Sequence, residues 1–536
     1  MTMIFITALA LGLTAQAHSC YYYVVHADDC APSNSTAGYA ACMACAAAHN
    51  ASLAAVCAPN QIAASCHGVY PPPPAPPTPP TPPTPPAPPT PPPTPPPTPS
   101  PLPPMVKYLL PDAVVNATGA RCLDGSTPGY FFRPGRGSNA PPSSQTRWLL
   151  VFQGGGWCTS LENCAARARG HTGSSRGWPA NTTQRGIMSA DAAENPDFFE
   201  YATVYLWYCD GFSFATDRDD PVPVPVAAAG RGGGGGLPSH LYFRGRRILD
   251  ALLADLLAHR GLDRARAVLL SGHSAGGTAT FLHADHVGAT LRAGTAAATA
   301  AAGGPLVFGA APDAGYFLDN ANAATGEHTF RSHVQALAAL GNLTGNGACE
   351  AAQRAANATE LWRCFLAPGV LPHIATPELF VVNSLYDPYQ LTGDGLGLGC
   401  SPNGTIAAEK GERRGCNATE MAAFHGLAAA MRASLAPFLG AAAASGRGGA
   451  FLPSCMCHTE MYYTFGHTGG TFRNDDWEVP AASGDTPGAA IARWWAGVGA
   501  RAAAAAAAGG GNDNVHVDAA PWPSNAPCAK FGVPPL

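Results

Sequence analysis

Residues 267–276 read Ala-Val-Leu-Leu-Ser-Gly-His-Ser-Ala-Gly, an apolar run that leads into the pattern G-x-S-x-G. The apolar run predicts a buried strand, and the small and apolar residues that follow predict a helix. A sharp turn between the two would lift the Ser274 hydroxyl clear of the sheet, beside the first amides of the helix. Gly272 and Gly276 flank the serine because such a turn leaves little room for a Cβ. The stretch therefore predicts an α/β unit with Ser274 as a candidate nucleophile.

Four further apolar runs predict strands, and one leucine-rich stretch predicts an amphipathic helix. The runs cover residues 148–152, 203–207, 306–309 and 379–382, and the helical spacing covers residues 240–259. Strands that alternate with helices predict a parallel sheet with both faces covered. The fold class predicted for the large domain, residues 105–536, is therefore α/β, with a mostly parallel sheet flanked by helices.

The amino-terminal residues 1–17 form an apolar stretch that ends in Ala15-Gln16-Ala17, a pattern typical of a cleaved signal peptide. The segment lacks Lys and Arg, so a short signal anchor is the alternative, although the run is short for a membrane span. Seventeen cysteines and several N-x-S/T sequons favour a secreted glycoprotein. The sequons begin at Asn34, Asn50, Asn116, Asn181, Asn342, Asn357, Asn403 and Asn417.

The rest of the composition indicates which partners to expect. Charged residues make up 12% of the chain and the net charge is −5, so nothing suggests a nucleic-acid partner. We expect that no later segment is long and apolar enough to be a membrane span, and therefore a soluble product that is extracellular or bound to the cell wall.

Two segments precede the large domain. Residues 18–70 contain six cysteines, which predict a small disulfide-stapled module; Cys42-x-x-Cys45 also permits a zinc or redox site, a less favoured alternative. Residues 71–104 are almost entirely Pro with Thr, Ala and Ser, which predicts a stiff polyproline spacer. A module on such a spacer is typical of enzymes that act on insoluble polymers, so glycan binding by the module is one hypothesis and a structural role is the other.

A reactive serine needs a base, and the base needs an acid that fixes its orientation. In α/β hydrolases the acid and then the histidine follow the serine, on loops after later strands. Asp387 comes at the end of the apolar run that begins at residue 379, and His458 lies in a stretch with two cysteines. The alternatives left open are His467, and with poorer placement His273, His283 and His286, for the base, and Asp313, Asp217 and Asp210 for the acid.

The same chemistry needs amides that stabilise an oxyanion. The amide of Ala275 is one candidate because it follows the nucleophile. The run Gly154-Gly155-Gly156-Trp157, directly after a predicted strand, is the other, since glycines allow backbone amides to converge. A plain glycine turn packed under Trp157 is the alternative interpretation.

Six motifs resemble the pectin acetylesterase family, to which the Notum carboxylesterases are related. The likeness runs from about Tyr108 to His458 and beyond. In chain order the motifs are Phe152-Gln153-Gly154-Gly155-Gly156-Trp157-Cys158 with Cys164 and Arg167; Trp207-Tyr208-Cys209-Asp210-Gly211-x-Ser213-Phe214; Gly272-His273-Ser274-Ala275-Gly276-Gly277; Asp313-Ala314-Gly315-Tyr316-Phe317-Leu318-Asp319; Ser384-Leu385-Tyr386-Asp387-Pro388-Tyr389-Gln390-Leu391; and Ser454-Cys455-Met456-Cys457-His458.

This resemblance implies an α/β-hydrolase-like fold and a serine carboxylesterase that needs no metal or cofactor. It implies Ser274, Asp387 and His458 as the catalytic residues, and the amides of Gly156, Trp157 and Ala275 as the oxyanion hole. It also implies a disulfide between Cys158 and Cys164. The sequence departs from the family at His273, where members often carry Cys.

The expected function is the removal of O-acyl groups, foremost O-acetyl, from a polysaccharide such as pectin. The first alternative is a Notum-like deacylase of a lipidated protein. The second is a cell-wall or matrix binding protein without catalytic activity.

Overall fold

A computed structural model describes residues 102–135, 146–225, 237–400, 415–459, 461, 486–503 and 514–522. The predicted leader 1–17, the cysteine-rich module 18–70 and nearly all of the spacer 71–104 lie outside these residues and stay predictions. The described residues belong to the second of two units into which the chain divides, Met1–Pro95 and Pro96–Leu536.

The strands of the described residues are β1 (Met105–Leu109), β2 (Gly129–Arg133), β3 (Arg147–Phe152), β4 (Asn181–Thr182), β5 (Ala202–Leu206), β6 (Val222–Pro223), β7 (His240–Leu241), β8 (Ala267–His273), β9 (Val307–Asp313), β10 (Phe380–Val382), β11 (Gly449–Leu452) and β12 (Val515–Val517).

The helices are α1 (Asp112–Thr118), α2 (Leu161–Arg167), α3 (Gly245–His259), α4 (Ala275–Gly294), α5 (Ala296–Ala301), α6 (Thr329–Gly341), α7 (Gly347–Asn357), α8 (Ala367–Val370), α9 (Pro388–Leu391), α10 (Ala418–Ser445) and α11 (Pro487–Ala503). Short 3₁₀ helices cover Gly186–Met188, Leu262–Arg264, Ala358–Phe365 and Leu371–His373.

Ten of the described strands form one mixed sheet in the order β12-β11-β10-β9-β8-β3-β5-β2-β1-β4. The seven from β12 to β5 are parallel, and β2, β1 and β4 continue the sheet antiparallel. Parallel strands end at the same edge of a sheet, and ligands bind at that edge in open α/β sheets. The loops after β3, β5, β8, β10 and β11 therefore all emerge at one edge.

Both faces of the central sheet are covered. Every residue of β5 and β10 is buried, as are the last five of β3. Successive strand residues point to opposite faces, so this continuous burial requires a layer on each side. Helix α4 packs against β8 and β9, and α11 packs against β9, β10 and β11. The predicted mostly parallel sheet with flanking helices is present.

One predicted helix begins later than expected. The leucine spacing predicts a helix over residues 240–259, but α3 begins at Gly245 because Leu241 pairs with Val222 in a two-stranded ribbon. The Gly245 amide donates to Oγ1 of Thr216 at 3.1 Å. A Cβ on Gly245 would lie 2.3 Å from a carboxylate oxygen of Asp210, so this start needs a glycine.

Helix α10 is, among the described residues, the one helix long and apolar enough to cross a membrane by length and composition. The prediction that no segment after the leader has this length and composition is therefore wrong. Its buried Leu427, Met431 and Leu435 recur every four residues, and the helix packs against β11 and β12. This spacing is typical of a helix with one face on a sheet.

Four disulfides lie within the described residues: Cys122–Cys209, Cys158–Cys164, Cys349–Cys364 and Cys400–Cys416. The Cys158–Cys164 pair is the one that the family resemblance implies. Disulfides persist in oxidising compartments, so this part of the chain suits such a compartment.

Candidate active site

Ser274 lies on a strained turn between β8 and α4. Its φ is 58° and its ψ is −123°, a conformation that L-residues avoid and that is typical of a nucleophile elbow. A Cβ on Gly272 would lie 2.3 Å from the carbonyl oxygen of Gly276, and a Cβ on Gly276 would lie 2.1 Å from that of Phe152. The flanking glycines therefore allow the turn to close against the neighbouring strand.

Three predicted residues lie together in one hydrogen-bonded chain. Nε2 of His458 lies 2.9 Å from Oγ of Ser274, and Nδ1 of His458 lies 2.9 Å from Oδ1 of Asp387. The three residues follow β8, β10 and β11, whose carboxyl ends meet at the same edge of the sheet. Strand order thus brings together side chains that are 184 and 71 positions apart in sequence.

Asp387 is fully buried at the N-cap of the short helix α9. Its Oδ1 accepts a 2.9 Å hydrogen bond from the amide of Tyr389, and its Oδ2 accepts a 3.4 Å bond from Nε2 of Gln390. Gln390 also donates to the carbonyl oxygen of Tyr316 at 3.1 Å. These contacts fix the orientation of the carboxylate toward His458.

Burial and neighbouring charges have opposite effects on the pKa of His458. Burial lowers its pKa, but the charge of Asp387, its hydrogen bond and the charge of Asp313 outweigh burial and raise the pKa above the ordinary 6.5. Its ring also stacks on Tyr389, with centroids 5.5 Å apart and planes 21° apart. Stacking on Tyr389 and the hydrogen bond at Nδ1 therefore both fix the orientation of the His458 ring.

The alternative bases make other contacts. Nε2 of His273 lies 3.0 Å from the Tyr205 hydroxyl and accepts a 3.3 Å hydrogen bond from the amide of Gly154; burial lowers the pKa of His273 to about 3. His283 contacts the carbonyl oxygen of Ser213 at 3.2 Å, and Nε2 of His286 lies 2.5 Å from Oδ1 of Asp250. His467 lies outside the described residues.

The alternative acids also have other partners. The carboxylate of Asp313 accepts a 2.8 Å hydrogen bond from the amide of Met461. Asp217 pairs with Arg247 at 2.5 Å. Asp210 is buried and accepts a 3.0 Å hydrogen bond from the amide of Phe214.

The candidate oxyanion segment follows β3. Nη2 of Arg167 donates to the carbonyl oxygen of Gly155 and, at 3.0 Å, to that of Gly156. In a trans peptide the N–H points opposite to the C=O, so both contacts turn the amides of Gly156 and Trp157 away from Arg167. None of the described residues accepts a hydrogen bond from these two amides or from that of Ala275.

The profile of the pectinacetylesterase family matches residues 105–529. The chain belongs to this family. Pectin acetylesterase 5 from Arabidopsis thaliana is 31% identical over 356 residues, which cover 66% of this chain and 74% of that protein. The human palmitoleoyl-protein carboxylesterase NOTUM is 32% identical over 293 residues, which cover 53% of this chain and 52% of that protein.

A solved structure of the Wnt deacylase Notum from Drosophila has a similar fold. The TM-score is 0.58 at 21% sequence identity, and the match covers 79% of this chain and 99% of the other. The predicted α/β-hydrolase-like fold is confirmed, as is the predicted enzyme class: this member of the pectinacetylesterase family is a carboxylic ester hydrolase.

A cluster of aromatic side chains lies beside the candidate site of this esterase. The Trp157 ring contacts Phe317, Phe330, Phe365 and Tyr389 with centroids 5.0 to 6.3 Å apart. A small cavity of about 10 Å³ lies next to Trp157, Phe330 and Tyr389. Phe212, Val334 and Leu337 complete its apolar lining, and its polar lining includes Thr159 and the paired His333 and Asp394, 3.1 Å apart.

Sequence reasoning assigned no role to three residues that contact the candidate site. Arg167 holds the Gly155 and Gly156 carbonyls. Tyr208 and Ser213, from the loop after β5, contact Gly156 and Trp157. All three belong to motifs that carry the family resemblance, which was the available signal. The partners of Tyr208 and Ser213 lie 52 and 56 positions away in sequence, whereas those of Arg167 lie only 12 and 11 positions away.

Proposed function

We propose that this protein is a serine esterase in which Ser274 is the nucleophile, His458 the general base and Asp387 the acid that orients it. The observation that carries the proposal is the continuous hydrogen-bonded chain from Oγ of Ser274 through His458 to Asp387. The raised pKa of His458 supports it, because Asp387 stabilises the imidazolium that forms when the base takes a proton.

In the first step, Nε2 of His458 takes the proton of Ser274, and Oγ attacks the ester carbonyl carbon. The carbonyl oxygen becomes an oxyanion, which accepts hydrogen bonds from the amides of Gly156, Trp157 and Ala275. The C–O bond to the alcohol then breaks, and the alcohol leaves with the proton from His458. The product of this step is an acyl-enzyme on Ser274.

In the second step, His458 takes a proton from water, and the hydroxide oxygen attacks the acyl carbon. The second oxyanion is held by the same three amides. The bond to Oγ of Ser274 breaks, the serine regains its proton from His458, and a carboxylic acid is released. Asp387 stays ionised throughout, since its role is to hold the imidazole and balance its charge.

We propose an O-acetyl group on a polysaccharide such as pectin as the substrate. The cavity beside Trp157 is about 10 Å³, which is about the space of one water molecule. We propose that the acyl group enters this cavity, because Trp157 carries one of the proposed oxyanion amides and the Tyr389 ring, which also lines the cavity, stacks on His458. Only a short acyl group then fits without movement of the aromatic side chains. Membership of the pectinacetylesterase family and the 31% identity to a plant pectin acetylesterase support the same choice.

Removal of a longer acyl group from a lipidated protein is the alternative substrate choice, which the similarity to the NOTUM carboxylesterase favours. Each buried CH₂ contributes about 0.8 kcal/mol, so an enzyme with a deep acyl pocket should prefer long chains. Comparison of acetyl, butyryl and octanoyl esters distinguishes the two: falling kcat/KM with chain length supports the deacetylase.

We also propose that the protein acts outside the cell. Four disulfides among the described residues fit an oxidising compartment. The sequon asparagines within the described residues, Asn116, Asn181, Asn342, Asn357 and Asn417, are all exposed, as glycosylation requires. Peptide mapping after glycosidase treatment of the secreted protein tests this.

The test of the serine mechanism is Ser274→Ala, assayed with p-nitrophenyl acetate and with a fluorophosphonate probe. We expect turnover to fall by at least about 10³-fold and labelling of the residue-274 peptide to disappear. Ser239→Ala is the control, because that exposed hydroxyl contacts only His240 among the described residues. Unchanged turnover by Ser274→Ala would refute the mechanism, and wild-type protein without labelling or turnover would favour a binding protein.

A further inference from the structure

The loop after β5 contacts both halves of the proposed oxyanion hole. We define residues 208–214 as the 208–214 strap. The Tyr208 hydroxyl donates a 2.9 Å hydrogen bond to the carbonyl oxygen of Gly156 and accepts one of 3.3 Å from the amide of Ser213. The proposed mechanism gives no role to this strap.

The Ser213 hydroxyl joins the two segments directly. Nε1 of Trp157 donates to Oγ of Ser213 at 2.7 Å, and this hydroxyl donates to the carbonyl oxygen of Ala275 at 2.7 Å. A hydroxyl has one donor hydrogen and two acceptor lone pairs, so one group can make both bonds at once. One buried oxygen atom therefore connects the Gly156–Trp157 segment to the start of α4.

The strap has an unusual backbone. The φ of Ser213 is 55° and that of Phe214 is 58°, so two successive non-glycine residues are left-handed. Such residues cluster at functional sites and persist only where their surroundings hold them. Oδ2 of Asp210 accepts hydrogen bonds from the amides of Phe212 at 3.3 Å and Phe214 at 3.0 Å, which holds the turn.

A second contact ties the strap to α4. Nε2 of His283, on that helix, lies 3.2 Å from the carbonyl oxygen of Ser213. A carbonyl only accepts, so Nε2 carries the proton in this contact. Ser213 is thus held to α4 through its carbonyl and its side chain.

We propose that Ser213 is a positioning residue that sets the distance between the two halves of the oxyanion hole. The inference rests on the proposed function, since it concerns the amides that would hold the oxyanion. Stabilisation of an oxyanion requires donors at fixed positions before the reaction, so a small shift of one segment weakens it. Ser213 itself touches no reacting atom.

The test compares Ser213→Ala with Ser189→Ala. The Ser189 hydroxyl is also buried, donates to Oε2 of Glu194 at 2.8 Å and accepts from the amide of Asp191 at 3.2 Å. Both variants thus lose a buried hydroxyl that both donates and accepts, but only Ser213→Ala loosens the oxyanion hole. The readouts are kcat and KM on p-nitrophenyl acetate, the rate of fluorophosphonate labelling at Ser274, and the thermal unfolding midpoint.

We expect Ser213→Ala to lower kcat and the labelling rate by about tenfold or more with little change in KM, which is the signature of lost transition-state stabilisation. Ser189→Ala should lower only the unfolding midpoint. Trp157→Phe removes the indole N–H and keeps the backbone amide, so it should lower kcat less than Ser213→Ala does. Because both substitutions break the same bond, the variant that carries both should be no slower than Ser213→Ala.

Equal labelling rates for wild type, Ser213→Ala and Trp157→Phe would overturn the inference. If Ser213→Ala does not fold, the test rests on Trp157→Phe alone. A kcat of Trp157→Phe equal to that of wild type would then overturn the inference. Failure of the proposed function gives a different result, because wild type itself would not be labelled at Ser274.

Discussion

The backbone amide of Ser274 donates a 2.9 Å hydrogen bond to the carbonyl oxygen of Asp313. This bond ties the serine turn to the carboxyl end of the adjacent strand β9. The carboxylate of Asp313 accepts a 2.8 Å bond from the amide of Met461, three positions after His458. Asp313 thus contacts both the turn that carries Ser274 and the segment that carries His458. The hydrogen-bond partner of Nδ1 of His458 is Asp387 and not Asp313.

The pH dependence of activity should follow His458. The base must be neutral to accept a proton, and its pKa is raised, so kcat/KM should fall as pH decreases through that raised pKa. Asp387→Asn removes the two contacts with Asp387 that raise the pKa and leaves burial, which lowers it. The acid limb should therefore move to lower pH, while kcat falls by about 10³- to 10⁴-fold.

The control for this measurement is His273→Asn. Burial lowers the pKa of His273 to about 3, so this ring stays neutral over the assay range. Its replacement should leave the acid limb near its wild-type position. An acid limb that does not move in Asp387→Asn would contradict the assignment of His458 as the base.

Arg167 should affect turnover more than substrate binding. Its guanidinium holds the carbonyls of Gly155 and Gly156, and so orients the two amides proposed to face the oxyanion. We expect Arg167→Met to lower kcat by about tenfold or more on p-nitrophenyl acetate, with a smaller loss for Arg167→Lys. Arg169→Met, an exposed cation nearby, is the matched control. Equal kcat for the two methionine variants would argue against this role.

Asp210 should make stability depend on pH. Burial raises its pKa to about 7 from an ordinary 3.8, so the folded state binds a proton that the unfolded state has lost. Its contribution is complete below about pH 4 and is lost as pH rises toward 7. The difference in thermal unfolding midpoint between wild type and Asp210→Asn should therefore decrease as pH rises from about 4 to about 7. Above about pH 7 the difference should stay constant. A difference that stays constant with pH would contradict the prediction.

The acyl preference should change when the cavity is enlarged. Leu337 is buried on α6 and lines the cavity beside Trp157. Leu337→Ala should cost about 2–5 kcal/mol of unfolding free energy, yet raise kcat/KM for butyryl relative to acetyl esters. Leu249→Ala on α3 is the control, since that buried leucine is not part of the cavity lining. An identical chain-length profile in both variants would exclude this cavity as the acyl site.

Local sequence pattern predicted five of the seven parallel strands and missed β11 and β12, which have four and three residues. The runs that became β3, β5, β8, β9 and β10 are continuous apolar segments, because both faces of each strand are buried. Strand β1, which lies between β2 and the edge strand β4, has two exposed residues among its five, and β4 has only two residues, so neither has such a run. Their pairing depends on neighbours in the sheet, which the sequence alone does not reveal.

The sequence by itself determined the turn at Ser274, since the residues that a sharp strand-to-helix turn requires are adjacent in the chain. Local patterns left several bases and acids open, because none states which loops meet, and only the family resemblance implied His458 and Asp387. The tertiary structure shows that the His458 ring lies between Ser274 and Asp387, and it alone revealed that Ser213 joins Trp157 to Ala275. The physical reason is strand order: a parallel sheet gathers at one edge loops that are far apart along the chain.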